Sequence, residues 1–359
     1  MKRSGCKTVI GLFVLSAIFL LSGTALAQEL DKKYNKEYSV QGNELLKINN
    51  RYGDVIVEGW NENRVVIDVT VTLEHPSKEK AEKLLSMIEV IFSENDNTIE
   101  ARTEIDSKFS FNGWGENKKF SIDYDVKLPV GLDFDVANAY GGVRIDELSG
   151  HVNIVVKYGS LFAEKLSRGN TKPLNAVTLA YGNGEIVETG WAELNLRYIG
   201  KMKVGSAQAL LVNSRYSKLE IEDVSSIVLD SKYDHISLGN LNNIVAESGY
   251  TGFNIGNVEK KVDIEAGYGS ITIDNVSAGF EDVQIVANYC HVKIGVDEDA
   301  GYKMNLKTHY GGLSFNEDNA EIINRIYENN SKSVEAVVGD KGSSSQISVT
   351  TKYGSVKVF

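Results

Sequence analysis

Tyrosine returns along this chain at a nearly constant interval. It stands at Tyr140, Tyr158, Tyr181, Tyr198, Tyr216, Tyr233, Tyr250, Tyr268, Tyr289 and Tyr310, and the same local phrase surrounds Tyr52 and Tyr353. Successive steps from Tyr140 to Tyr310 are 18, 23, 17, 18, 17, 17, 18, 21 and 21 residues. Self-similarity at such a period marks a chain built from stacked units. Within each unit the apolar residues alternate with polar ones. Leu219 and Ile221 alternate with Lys218, Glu220 and Glu222, and Ile227 and Leu229 alternate with Val228 and Asp230. Val152, Ile154 and Val156, Val283, Ile285 and Ala287, and Met304, Leu306 and Thr308 repeat the pattern. A period of two is the signature of a strand with one buried face, not of an amphipathic helix.

One such unit cannot bury its own apolar face, whereas stacked units can, each strand pairing with its copy in the next coil. Copies running in the same direction give parallel strands, and crossovers between parallel strands favour right-handed winding. The expected fold is all-β: a parallel, right-handed β-solenoid of about 17–21-residue coils across residues 140–359. Tyr140, Tyr158, Tyr181, Tyr198, Tyr216, Tyr233, Tyr250, Tyr268, Tyr289, Tyr310 and Tyr353 then stack as a ladder at the spacing of strands, about 4.8 Å. Because each tyrosine falls in phase with the apolar residues of its strand, the ladder is expected to be an internal aromatic stack.

The ends depart from the repeat. Residues 28–139 hold a first rung around Tyr52 and a cap. Val55, Val57, Val65, Ile67, Val69 and Val71 read as strands. Ser77 is placed to cap a helix whose apolar stripe is Leu84, Leu85, Met87 and Ile88. Strands resume over 90–93 and 99–105, a polar loop covers 106–119, and Phe120 to Leu128 alternates as a strand that Pro129 closes. Near the other end, 318–330 interrupts the phrase, and Ile322, Ile323 and Ile326 suggest a short helical stretch. Ile347, Val349, Thr351, Tyr353, Val356 and Val358 write the phrase once more.

Residues 1–27 read as a secretory signal peptide. Lys2, Arg3 and Lys7 precede the apolar stretch Val9 to Leu21, and Ala25-Leu26-Ala27 supplies small residues for cleavage before Gln28. Export is therefore expected, to the periplasm, the outer surface or beyond, with no transmembrane segment after cleavage. The whole chain carries a net charge of −11, and the leader holds three positive charges and no negative ones, so the remainder stands near −14. That balance disfavours nucleic acid as a partner. Cys290 is the one thiol after the leader, so no internal disulfide framework is available.

Chemistry is sparse. His75, His151, His235, His291 and His309 show no metal-ligand spacing. Cys290 and His291 are adjacent on a strand and so point to opposite faces. No nucleophile elbow, phosphate-cradling glycine loop or zinc motif occurs. One file of acids follows the second apolar residue of several coils: Asp146, Glu164, Glu188, Glu222 with Asp223, and Asp274. Stacked, they would form a carboxylate column, a candidate Ca²⁺ strip or the acids of a glycan-cleaving site. The expected role is instead a solvated corner that resists edge pairing, with those two as alternatives. Gly239, Gly256 and Gly295 interrupt the file, and no repeated Gly-x-Asp turn supports the metal. No cofactor is expected.

Asn49 to Trp60 (N-N-R-Y-G-D-V-I-V-E-G-W), Val126 to Val136 (V-K-L-P-V-G-L-D-F-D-V) and Thr351 to Val358 (T-K-Y-G-S-V-K-V) resemble the putative adhesin family of exported bacterial β-solenoid proteins, a domain of unknown function. The resemblance covers most of the chain beyond the leader. It implies adhesion; the function expected is that of a non-enzymatic envelope or cell-surface protein, an adhesin or interaction scaffold, whose partner is unknown, with a cell-surface glycan or an envelope protein as candidates. Two other readings remain open: a polysaccharide-active enzyme, lyase or glycosidase, on the same scaffold, and a structural envelope-stress protein without a specific ligand.

Overall fold

Alternation becomes structure in the strand Lys218–Lys232. Leu219, Ile221, Val224, Ile227 and Leu229 point inward and are buried, while Lys218, Glu222 and Val228 face water. This strand pairs in parallel with His235–Gly249, residue by residue at an offset of 17: Leu219 lies opposite Ile236 and Ile227 opposite Ile244. A one-residue slip would turn every buried side chain outward, so the inward file fixes the register. The next pairing, with Gly252–Val276, begins at the same offset. It shifts by one at an irregularity between Leu241 and Asn243, where the extra residue of an 18-residue step is absorbed. Bulges of this kind let coils of unequal length stack without disturbing the core.

The computed structural model describes residues 28–109 and 120–359. The expected leader, 1–27, and most of the expected polar loop, 110–119, lie outside the described residues. The fold is all-β with one helix, and its strands form one long, mostly parallel, unclosed sheet. A continuous apolar core runs from Val40 to Val358. Each buried Val, Leu or Ile contributes about 1.5–3 kcal/mol, which places the stability in the stack and not in any single coil. No helix among the described residues is long and apolar enough to cross a membrane.

Before Tyr140 the stack is covered by antiparallel strands. Leu45–Arg51 pairs in parallel with Asp133–Ala139 on one side and with Thr98–Ile105 on the other. Ile88–Asn95 then runs antiparallel along Thr98–Ile105. Val55–Trp60 is flanked in parallel by Val143–Leu148 and Phe120–Pro129. Arg64–His75 runs antiparallel to Phe120–Pro129, and Gln28–Ser39 runs antiparallel to Arg64–His75. The expected helix is present as Lys78–Leu85, with the Ser77 side chain accepting from the Lys80 backbone N–H. It is shorter than the apolar stripe suggests: Ala81 is its buried residue, Leu84 and Leu85 are half-buried, and Ile88 begins the next strand.

Residues 318–330 are a correction. The segment holds the strand Ala320–Glu328, not a helix, paired antiparallel with Ser331–Val338, which in turn covers Tyr302–His309. Ile322, Ile323 and Ile326 are all exposed and so supply no buried face. Pairing with the neighbouring strand satisfies the backbone of the segment. The last coil does not lie on the outside of the stack. Gln346–Lys352 pairs in parallel with Asp282–Ile294 on one side and with Tyr302–His309 on the other, so the end of the chain is inserted between two earlier coils.

Candidate functional site: the tyrosine ladder

The repeated tyrosines do form a ladder, but it is on the surface. Each of the twelve, Tyr52 included, has a positive φ between 54° and 62°. Left-handed backbone takes the residue out of strand geometry and reverses the inward phase. In the coil around Tyr216, Val212 and Ser214 point inward before it and Ser217 and Leu219 after it. The tyrosine is ejected at the change of phase. Eleven of the rings are 42–53% exposed, and Tyr52 is half-buried. The internal aromatic stack expected from alternation is thereby overturned: the phase argument assumed extended backbone at the tyrosine itself.

Backbone hydrogen bonds hold the conformation. The N–H of Tyr158 donates to Ala180 O, that of Tyr216 to Lys232 O, and that of Tyr233 to Gly249 O, in each case the residue before the tyrosine of the next coil, whereas that of Tyr310 donates to Asn330 O. Neighbouring rings lie 4.7–5.0 Å apart with planes within 1–13°. The column runs Tyr52, Tyr140, then in order to Tyr289, then Tyr353 and finally Tyr310. It extends roughly 50 Å at the strand spacing. Stacking occupies the ring faces. What the ladder offers to solvent is a row of ring edges and phenol hydroxyls, so a sugar ring cannot lie flat on any rung between its two neighbours.

Beneath the ladder the next residue turns inward, and in most coils it is glycine. A Cβ on Gly159 would come within 1.9 Å of Gly141 O, and one on Gly354 within 1.8 Å of Cys290 O. Where a side chain replaces that glycine it is buried. Asp234 accepts from the Ser217 N–H at 2.6 Å, the Ser231 hydroxyl at 2.6 Å and the Lys232 N–H at 3.2 Å. Burial pushes its pKa above the ordinary aspartate value, against those hydrogen bonds. Cys290 is also buried. Its thiol donates to Asn288 O at 3.3 Å, burial pushes its pKa up, and His291 faces water and bonds to Ser355 Oγ at 2.8 Å.

The structure does not bring the acids into one column. Asp146, Glu164, Glu222 and Asp274 each stand six residues after a tyrosine, but Glu188 stands seven after Tyr181. Register therefore sets Glu188 opposite Lys165, not Glu164. Asp146 and Glu164 are neighbours across the coils, whereas Glu222 lies between Gly205 and Gly239. Lysines stand among the acids: Lys165 Nζ is 3.5 Å from Glu188, and Lys203 Nζ is 3.0 Å from Glu222. Among the described residues no three His, Cys, Asp or Glu side chains converge as metal ligands. The histidines bond separately, His309 to Ser331 Oγ and His151 to Leu174 O.

The residues flanking the ladder escaped the sequence reading. The position before each tyrosine holds Arg51, Lys157, Arg197, Arg215, Lys232 and Lys352, with His309 and otherwise Ala, Gly or Asn. Register makes these one file, with Arg215 opposite Lys232 and Lys352 opposite His309. Aligning the phrases on their tyrosines, and not on their apolar residues, would have exposed it.

Fold and ladder together define a class: an all-β, mostly parallel stack of coils that displays an edge-on tyrosine column. Solved structures to which the chain is similar include a putative cell adhesion protein from Clostridium sporogenes, at 12% identity over 92% of this chain and 99% of that one, with a TM-score of 0.22. A putative adhesin from Bacteroides fragilis has 12% identity, coverage of 91% and 97%, and a TM-score of 0.30. A putative lipid binding protein from Parabacteroides distasonis has 10% identity, coverage of 91% and 96%, and a TM-score of 0.37. The first two carry the adhesion name of the family that the sequence resembles. No family model and no curated protein matches the chain.

Proposed function

We propose that this chain is a non-enzymatic interaction scaffold of the adhesin type, exported to the cell envelope or surface, which engages its partner along the tyrosine ladder. Removal of residues 1–27 before Gln28 and right-handed winding of the coils from Tyr140 onward belong to the same reading. The exposed ladder is the observation that supports it. Left-handed backbone costs an L-residue about 1–2 kcal/mol. A stacked aromatic pair returns about 0.5–1.5 kcal/mol. Glycine would take the same φ without strain. Stability alone thus gives little reason to write tyrosine rather than glycine at twelve rungs. A continuous aromatic strip held in water is the kind of surface that partners cover.

The test is binding of the secreted chain to cell-envelope fragments, beside a variant in which Tyr216, Tyr233 and Tyr250 are each replaced by glycine. The variant is expected to keep its β-sheet circular dichroism and lose binding. Unchanged binding by a folded variant would remove the ladder as the site. Release of shortened sugars from the fragments would replace the scaffold reading with an enzyme. Mass spectrometry of the exported chain should find Gln28 at its N-terminus.

A further inference from the structure

We infer that the ladder is a docking track for a linear anionic polysaccharide, its acidic groups held by the cations that flank the rungs; this deepens the binding reading above and rests on it. The two files beside the tyrosines differ in charge from the rest of the molecule. The file before the tyrosines holds six Lys or Arg and His309, and no acid. The file two residues after them adds Lys218, His235 and His291, with Asp54 as its one acid. In a chain with 49 Asp and Glu against 38 Lys and Arg, such a track is a local reversal of sign. Stripes of one sign concentrate ligands of the other.

The cations are placed for use. Arg51 Nη2 lies 3.3 Å from the Tyr52 hydroxyl, and Lys352 Nζ lies 5.5 Å from the centre of the Tyr353 ring, so a side chain in this file reaches its own rung. Lys165, Lys201 and Lys203 elsewhere are bound to glutamates. By contrast, the side chains of Lys157, Arg197 and Lys232 are exposed and hold no ion pair or hydrogen bond among the described residues. Arg215, between Arg197 and Lys232 in the file, is tied to Asp230 at 2.7 Å. A shallow open groove runs beside the same rungs, past Lys218 and His235 from Ile199 to Tyr250. Further along, Gly249 and Gly267 replace the cations, and Glu247 and Glu265 stand nearby in the adjoining file. The track is therefore strongest between Tyr158 and Tyr233.

Ligand class follows from what the rungs present. Single-stranded nucleic acid is gripped through base stacking on aromatic faces, and here the faces are stacked on one another. Edges and hydroxyls remain, and these suit the hydroxyls and acidic groups of a sugar polymer. The rung spacing of 4.7–5.0 Å is close to the advance of one pyranose unit along an extended 1,4-linked chain. Lysine and arginine supply charge-assisted bonds to carboxylate or sulfate.

The full exported chain is tested against polygalacturonate, heparin, a neutral linear β-glucan and an oligothymidylate, at low and high salt. Binding to polygalacturonate or heparin is expected, weakening as salt screens the charges. Binding of polygalacturonate shows that carboxylate suffices, whereas binding of heparin alone, which carries sulfate besides carboxylate, points to sulfate as the group recognised. A variant carrying Lys157→Gln, Arg197→Gln and Lys232→Gln should lose roughly tenfold or more in affinity with its circular dichroism intact. Equal, salt-insensitive binding of the neutral glucan, or tighter binding of the oligothymidylate, overturns the inference. So does an unchanged affinity in the triple variant. If no anionic glycan binds while envelope fragments still bind and the tyrosine variants lose them, the anionic ligand is wrong and the ladder reading stands. If the tyrosine variants bind those fragments unchanged, both fall.

Discussion

The ring of Tyr353 lies 4.7 Å from that of Tyr289, with planes 13° apart, and Tyr310 stacks on its far side at 5.0 Å. The last coil thus occupies a slot between two coils that precede it in the chain. Asp282–Ile294 and Tyr302–His309 each use Gln346–Lys352 as a shared partner. His291 Nδ1 to Ser355 Oγ at 2.8 Å repeats the relationship at the corner.

Removing 346–359 should therefore strip one paired edge from two strands at once and not merely shorten the stack. Ile347, Val349, Val356 and Val358 are all buried, and losing them forfeits about 1.5–3 kcal/mol each. That is comparable with the whole stability of a typical domain, about 5–15 kcal/mol. Hydrogen exchange of the truncated chain is expected to show lost protection through 282–309 with protection kept in 218–249. A synthetic peptide of the missing segment should restore it when added in trans. Uniform protection in the truncated chain would show that those two strands close on each other instead.

A rung can be tested for the balance between strain and stacking. At Tyr233, φ is 60°. Tyr233→Val places a β-branched side chain in left-handed backbone and removes the stack, so a loss of about 2–3 kcal/mol is expected. Tyr233→Gly removes the stack and the strain together and should fall within about 1 kcal/mol of the parent. Denaturant unfolding of both variants checks the order. A valine variant as stable as the glycine one would mean that the rung is not held at positive φ in solution.

Much of the architecture was legible because the inward file is periodic. Leu219, Ile236 and Phe253 share one register position, and nothing but a parallel stack buries them all. The left-handed tyrosine was not legible from the same rule, since a period-two count runs straight through it. The reversal of phase between Ser214 and Ser217 was the available signal. Insertion of the last coil leaves no mark in periodicity, because every coil writes the same phrase and sequence cannot say which copies are adjacent. The strand at Ala320–Glu328 was misread for a related reason: its isoleucines serve an exposed hairpin, so their spacing carries no burial information. Glu188 shows how a single residue of drift, seven after its tyrosine and not six, dissolves an apparent column.

Glycines at the corner divide into two kinds. A Cβ on Gly159 meets backbone at 1.9 Å, whereas on Gly267 the nearest atom is Ser248 O at 3.9 Å. Gly159→Ala should force adjacent coils apart and cost about 3 kcal/mol or more, as overpacking against backbone does at its severe end. Gly267→Ala should be neutral or stabilising by a few tenths of a kcal/mol, through a less flexible unfolded chain. Thermal unfolding of the two variants separates them. Equal melting temperatures would mean that coil spacing relaxes freely at the ladder corner.

Cys290 occupies that same corner, where Gly354 stands in the neighbouring coil, and its burial makes a prediction about reactivity. The thiolate is the reactive form, and burial pushes the thiol pKa up, so at any pH below the shifted value less thiolate is present than in a free cysteine. Reagent must also reach a side chain only 1% exposed. In a Cys6→Ser background, iodoacetamide should modify the native protein at least about a hundredfold more slowly than the denatured one, because labelling waits for local opening. The rate should rise with pH to a higher midpoint than that of a free thiol. Cys290→Gly, which restores the residue used at most corners, should fold and keep the ladder. Rapid native labelling at neutral pH would instead show that the coil holding Tyr289 opens readily, and would place the weak point of the stack beside the inserted last segment.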